Sequence, residues 1–171
     1  MLTRSLRRFL ALSGPERALL IRAYVDLLQI DVALRIFGFQ RVVRRVPPAS
    51  ADRVVRIEDR SRAGQYARWL EVAARHHVAR ARCLQRSLAL HRWLRQEGLP
   101  SELRIGVRKE AGVLQAHAWV ELGDQVVNDR PDAIAEFAPL ASPSLPSLVW
   151  SRDLAGGGPR PPAVINQEGD R

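Results

Sequence analysis

The order of patterns along the chain predicts an α+β fold. Helical periodicities fill the first hundred residues, an antiparallel meander of strands follows, and short turns join those strands. At 171 residues with 46% apolar content, the chain has room for one core of ordinary size with appendages, and it contains no repeats.

The first helix is placed from Pro15, in a first turn capped by Ser13, to about Ile36, with Gly38 as its stop. Arg22, Asp26 and Gln29 fall three and four apart and form one narrow polar stripe, Arg22 and Asp26 being spaced for a helical ion pair. The rest of the helix surface is apolar, so it must be buried either in its own domain or against a partner. An internal core helix is the expectation and an interface the alternative. "RRVPPASADR" marks a linker near residues 44 to 53. Tyr66, Trp69, Leu70 and Ala73 predict a helix from about Ser61 to His77, and another begins near Ala81 and ends at "QEGLP". There Gly98 can adopt the left-handed terminating conformation and Pro100 blocks continuation.

The period then changes from helix to strand. In "ELRIGVRK", Leu103, Ile105 and Val107 alternate with Arg104, Gly106 and Arg108; "KEAG" is a turn; "LQAHAWVEL" alternates again; and "QVVND" is the third strand. Pro131 and "APLASPSLPS" read as irregular covering chain, and "GGGPRPPAVINQEGDR" as a mobile tail. The expected organisation is an N-terminal helical segment and linker over 1–58, one domain over 59–150 and a C-terminal tail over 151–171.

The charge of +9 comes from 27 Lys+Arg against 18 Asp+Glu, and Lys109 is the sole lysine. Such a surplus suits an acidic peptide, nucleic acid or anionic lipid. The scatter of the arginines favours the plainer explanation, a genome that codes basic positions as arginine. With one cysteine, Cys83, no intramolecular disulfide is possible, and "MLTRSLRRFLALSGPERALL" lacks the pattern of a secretory signal. A cytoplasmic setting is the expectation. The apolar stretch from Ala18 to Phe39 would carry Arg22, Asp26, Asp31 and Arg35 into a bilayer, so it is not read as membrane-spanning.

The chemistry-bearing residues lie in the strands and the third helix. The apolar set of "LQAHAWVEL" is even-numbered, which puts His117 on the other face with Gln115, Trp119 and Glu121, a mixed surface suited to a cleft. Whether Asp129 can reach His117 depends on the hairpin. A two-residue turn at Gly123-Asp124 sets Asp129 opposite Ala118, whereas a three-residue loop sets it opposite His117, at roughly 4.5 to 5.5 Å between Cβ atoms. The second register, or the first with a bulge, brings carboxylate to imidazole. Cys83 falls in the first turn of its helix, where free N–H groups and the helix dipole favour a thiolate, with Arg80 and Arg82 close by in sequence. Thiol, imidazole and orienting carboxylate are the three groups that thiol acyl transfer requires. The plainer reading of a lone buried cysteine is a small hydrophobic residue. Zinc is a weaker use of His76, His77, Cys83 and His91, because their spacings are unlike those of zinc sites and only one thiolate is on offer. No metal and no cofactor are expected. His91 reads as a packed or surface histidine, and His76-His77 as a helix end.

These segments carry a resemblance. "CLQRSLALHRWLRQEGLPSELRIGVRKEAGVLQAHAWVELGDQVVNDRPD", with "FAPL" after it, resembles the transglutaminase-like cysteine peptidase domain of the lasso-peptide maturation proteases, from Cys83 to about Leu140. The apolar N-terminal helix and "FGFQRVVRRV" are similar as well. The resemblance implies a transglutaminase-like or papain-like core that removes the leader from a ribosomally made lasso-peptide precursor. In it Cys83 is the nucleophile, His117 the base and then the acid, and Asp129 the residue that orients His117. The Cys83 backbone N–H would be one oxyanion donor; neither Gln65 nor Gln85 has a sequence argument for the second. Trp119 is a candidate substrate-binding wall of the cleft. The implied partners are the precursor's leader, a separate leader-recognition protein and an ATP-dependent cyclase, since residues 1 to 60 lack the strands of a leader-recognition domain. The exposed side of the 15–36 helix is the candidate dock.

Two alternatives remain. A transglutaminase-like acyltransferase or amidase would use the same three residues on another substrate. A non-catalytic basic binding protein would use Arg41, Arg44, Arg45, Arg53 and Arg56 on phosphates, but no helix-turn-helix, zinc or aromatic-platform signature accompanies them, and no nucleic-acid partner is expected.

Overall fold

A computed structural model describes residues 9–50, 52–76, 82–110 and 112–140. Three helices, α1 (Gly14–Val43), α2 (Ile57–Arg75) and α3 (Cys83–Gln96), precede the strands β1 (Ser101–Glu110), β2 (Val113–Leu122) and β3 (Gln125–Val126). A short helix α4 (Pro131–Ile134) and a strand β4 (Ala138–Pro139) follow. The sheet order is β3-β2-β1-β4, with every neighbouring pair antiparallel. The chain is thus α+β, as its periodicities predict.

Ser13 opens α1 through a reciprocal cap: the Glu16 N–H donates to Ser13 Oγ (3.5 Å), and the Ser13 N–H donates to Glu16 Oε2 (2.9 Å). Gly38 interrupts the helix with φ 74 and ψ 166, but a further turn follows to Val43. The break re-aims the chain so that Phe39 enters the core, 5% exposed. Helix α2 begins at Ile57, earlier than the expected Ser61. Its start is held by the buried Asp59, which accepts from the Arg56 N–H (3.0 Å) and from Arg53 Nη2 (2.9 Å). The Arg56 hydrogen bond, against the effect of burial and with help from Arg53, holds the Asp59 carboxyl below its ordinary value. Helix α3 ends as predicted. Gly98 takes φ 73, Gly98 N–H donates to Arg95 O (3.0 Å) and Leu99 N–H to Leu94 O (2.9 Å), which closes the last turn on left-handed glycine. His77, Arg80, Ala81 and the tail from residue 141 lie outside the described residues.

Helix α3 is the centre of the molecule, touching α1 and α2 on one side and β1 and β2 on the other. The core joins Leu27 and Ile30 of α1, Tyr66 and Leu70 of α2, Leu88 and Trp93 of α3, and Ala118, Val120 and Leu122 of β2. The predicted even-numbered apolar face of β2 is buried at Ala118, Val120 and Leu122, while Leu114 (62% exposed) and Ala116 toward the hairpin tip are exposed.

Helix α1 enters the core through Ala23, Leu27, Ile30 and Phe39 but is not buried around most of its circumference. Its polar stripe borders α3: Trp93 Nε1 donates to the half-buried Asp26 Oδ2 (2.5 Å), and Arg22 lies over the Trp93 ring (4.3 Å) and donates to Gln96 Oε1 (2.8 Å), while Gln29 is exposed. The Arg22–Asp26 ion pair is present at 3.7 Å. The opposite face leaves Ile21, Val25, Leu28, Val32 and Ile36 exposed, a continuous stripe at helical spacing. The indole N–H gives the half-buried Asp26 a partner, which lets a carboxylate lie at the edge of the core. No described helix is long and apolar enough to cross a membrane.

Candidate active site

Cys83 is the first residue of α3, where its N–H has no acceptor within the helix. The preceding Arg82 N–H is taken by Gln85 Oε1 (3.1 Å), and Gln85 Nε2 donates to Asp31 Oδ1 (3.3 Å). Both ends of the Gln85 amide are thus engaged in holding the start of α3 against α1. Gln65 is exposed on α2.

The strand that faces Cys83 has two unlike edges. Toward β1, β2 is paired along its whole length, from Ser101↔Leu122 to Glu110↔Val113. Toward β3, only Glu121↔Val126 and Leu122↔Gln125 pair, with one more hydrogen bond from Val127 N–H to Val120 O (2.9 Å). The turn is the two-residue form, with Gly123 at φ 64, and the third strand is shorter than the expected "QVVND". Beyond it, side chains replace the missing ladder. Asn128 Oδ1 accepts from Val120 N–H (2.8 Å), Ser87 Oγ donates to Ala118 O (2.8 Å), and the Cys83 sulfur accepts from Ala118 N–H. Asn128 Nδ2 in turn donates to Ser87 Oγ (2.8 Å). Cys83 and Ser87 are four apart and so share one face of α3, which is why a single helix can satisfy both polar groups of Ala118.

Leaving the ladder early is what frees Asp129. A regular continuation of this register would set it opposite Ala118; instead the chain bends over 127–129 and its carboxylate Oδ2 lies 2.5 Å from His117 Nε2. Asp129 Oδ1 accepts from the Arg130 N–H (2.8 Å), which fixes the carboxylate's other oxygen. The other face of the imidazole ring system meets the Cys83 thiol by hydrogen bond, and with Nε2 occupied by Asp129 the ring nitrogen left for sulfur is Nδ1.

The electrostatics agree from both sides of the pair. Burial pushes the Cys83 thiol up, but the hydrogen bonds from His117 and Ala118, with the charges of His117 and Arg86, set it below its ordinary value. The Cys83 hydrogen bond pulls His117 up, burial opposes it, and Asp129 adds to the rise. Both shifts favour thiolate beside imidazolium.

The ring is walled by aromatics. Phe137 lies 5.2 Å and Trp119 6.3 Å from the His117 ring, centroid to centroid, and Trp119 is 2% exposed with its indole N–H on Glu121 Oε1 (2.9 Å). Gly106, paired with His117 across β1 and β2, is what admits them. A Cβ there would stand 2.8 Å from both Phe137 Cβ and Trp119 Cη2. Phe137 arrives because β4, a strand not anticipated within the irregular covering chain, pairs Ala138 with Val107 and Pro139 with Gly106.

Each of the three residues singled out in sequence, Cys83, His117 and Asp129, is therefore brought to one place, and Trp119 lies beside them. Ser87, Asn128, Gly106 and Phe137 were not singled out. "VVND" did carry a signal, since an Asn just before the Asp offers an amide that can replace a ladder partner. His91 stands apart. It is 8% exposed, with Nδ1 2.9 Å from Ser101 Oγ. Among the described residues no group of three or more His, Cys, Asp or Glu is placed to hold a metal ion.

The chain is 39% identical over 56 residues to the microcin J25-processing protein McjB of Escherichia coli, a match that covers 33% of this chain and 26% of that protein. No solved structure matches it. The model of the transglutaminase-like superfamily matches residues 25–142, from α1 through the end of the described sheet. The chain belongs to the transglutaminase-like superfamily.

Proposed function

We propose that the chain is a cysteine peptidase that removes the leader from a ribosomally made lasso-peptide precursor. The observation that carries this reading is the series formed by the Cys83 thiol at a helix start, the His117 ring beside it and the Asp129 carboxylate 2.5 Å beyond. The resemblance of the 83–140 segment to lasso-peptide maturation proteases, and the similarity to a protein named for processing microcin J25, supply the substrate class.

In this reading the Cys83 thiolate attacks the carbonyl carbon at the leader-core junction, forming a carbon–sulfur bond as the carbonyl oxygen takes the charge. The Cys83 backbone N–H, unpaired within α3, is the oxyanion donor that the helix start supplies. As the carbon–nitrogen bond breaks, His117 gives its proton to the core's amine. His117 then takes a proton from water, whose oxygen attacks the thioester, and Cys83 returns as thiolate with the leader carboxylate released. Asp129 holds the ring through Nε2 so that Nδ1 faces sulfur.

In this reading α1 is the docking element and shares one core with the catalytic domain, in which Leu27 and Ile30 are buried. The exposed apolar stripe Ile21, Val25, Leu28, Val32 and Ile36 is where a separate leader-recognition protein docks, and an ATP-dependent cyclase consumes the freed amine. The test is mass spectrometry of a lasso precursor incubated with this chain and a leader-recognition protein. Cleavage at a single junction, abolished by Cys83→Ala, is expected. An intact precursor, or transfer of the acyl group to an added amine with no hydrolysis, contradicts the reading, and the second result identifies an acyltransferase.

A further inference from the structure

Asp129 has a second neighbourhood besides His117. With Val127, Asn128 and Arg130 it forms one wall of a groove of about 560 Å³ whose other walls are α2 and α3. Half-buried Ala67 and Val127 give the floor its apolar surface, over Leu70 and Leu90 buried beneath them, and the rim carries Arg68, Arg75, Arg86 and Arg130. Two carboxylates line the groove, Glu71 and Asp129. Glu71 is held between Arg75 (3.2 Å) and Arg86, Asp129 is committed to His117, and Asp132 outside the groove holds the Arg130 side chain (2.5 Å). Arg68 is exposed at the rim, with Glu16 close enough to feel its charge. The lining itself holds four guanidinium groups and two carboxylates, and because the ion pairs of Arg75, Arg86 and Arg130 are open to solvent, an incoming carboxylate can compete for them.

The arginines do not converge on one point, as they would for a single phosphate. Arg68 and Arg75 are seven residues apart on one face of α2, roughly 10 Å along its axis, and Arg86 and Arg130 stand on the other walls. Gly64, one turn before Arg68, leaves that end of the groove open, since a Cβ there would meet nothing within 4 Å. At the other end the groove reaches the reacting groups, because it includes Asp129 and because Arg86, three residues after Cys83, is close enough to stabilise the thiolate.

We propose that this groove binds an extended acidic segment of the substrate peptide, its carboxylates on the arginine rim and its apolar side chains on Ala67 and Val127. A spread of guanidinium forks suits successive side-chain carboxylates, and an apolar floor suits the residues between them. The proposal rests on the peptidase reading only for calling the ligand a substrate.

The test reads binding and not hydrolysis. Two octapeptides bearing a neutral dye, one with four glutamates alternating with leucine and one with glutamines in their place, are titrated into the full chain by fluorescence anisotropy. Rates of Cys83 alkylation by iodoacetamide are recorded in parallel. The glutamate peptide is expected to bind about tenfold or more tightly than the glutamine one, and less tightly as salt rises. Gly64→Leu, which fills the open end without disfavouring the helix, and the double variant Arg68→Gln with Arg130→Gln are each expected to weaken it about fivefold or more. Alkylation should be unchanged in both. Equal affinity for the two peptides, or undiminished binding by the double variant, overturns the proposal. So does oligothymidylate binding as tightly as the glutamate peptide with the same dependence on the arginines, which would assign the groove to nucleic acid. Slow, His117-independent alkylation would remove the peptidase reading and leave the groove's selectivity to be judged by binding alone.

Discussion

His91 and His117 flank the same core yet their pKa values are driven in opposite directions. His91, in the middle of α3, is buried against Ser101, and burial first, then the charge of Arg95, pushes its pKa down to about 4. His117 is raised, its hydrogen bond with Cys83 and the nearby Asp129 outweighing burial. Burial by itself neutralises an imidazole. The upward shift at position 117 therefore belongs to its partners, and removing those partners should make the second histidine behave like the first.

Cys83→Ala is the largest such change. It removes the nucleophile and the main cause of the raised His117, so peptide cleavage should fall by a factor on the order of a million, to background, and the His117 pKa, followed by NMR, should drop. Asp129→Asn keeps the shape and loses the charge. A fall in kcat/KM of about 10² to 10⁴ is expected, together with a lower His117 pKa and an unaltered KM. Gly106→Val disturbs the walls and spares the three reacting groups. Its side chain would collide with Phe137 and Trp119, and a loss of roughly ten- to a hundredfold in kcat/KM should accompany a shift of the His117 ring signals.

His91→Gln should be the mildest for activity and visible only in stability against pH. The folded pKa of His91 lies below the 6.5 of the ordinary group, so the unfolded chain binds the extra proton first as pH falls. Native stability is lost between about 6.5 and about 4, by about 3 kcal/mol at full extent. The variant should lose this acid sensitivity while keeping its turnover at neutral pH. For His117 the sign is reversed: its raised folded pKa contributes stability below 6.5 that is lost as pH rises through the folded value.

Regular local signals made much of this legible in sequence. Ser13 with Pro15, Gly98 with Pro100 and the alternation around His117 each report a short-range rule, and each element lies where the rule put it. The choice of register at Gly123-Asp124 was open, because both turns are compatible with the same residues, and Asp129 reaches His117 only because the chain leaves the ladder after Val127. That departure depends on Asn128 and Ser87 meeting across 41 residues, a tertiary event with no local trace. The contact of Asp26 with α3 was hidden for the same reason, since its partner Trp93 lies 67 residues away. Helix α2 starts early because Asp59 is buried by Arg53 and Arg56, whereas Ile57, the apolar residue at its start, is 82% exposed and breaks the expected pattern.

The most direct measurement is the rate of Cys83 alkylation by iodoacetamide against pH, in the native chain and in His117→Ala. A thiolate held by imidazolium predicts fast labelling at neutral pH, an inflection below the ordinary thiol value of 9.0, and a return toward that value in the variant. A single inflection at or above 9.0, identical in both proteins, would contradict the account.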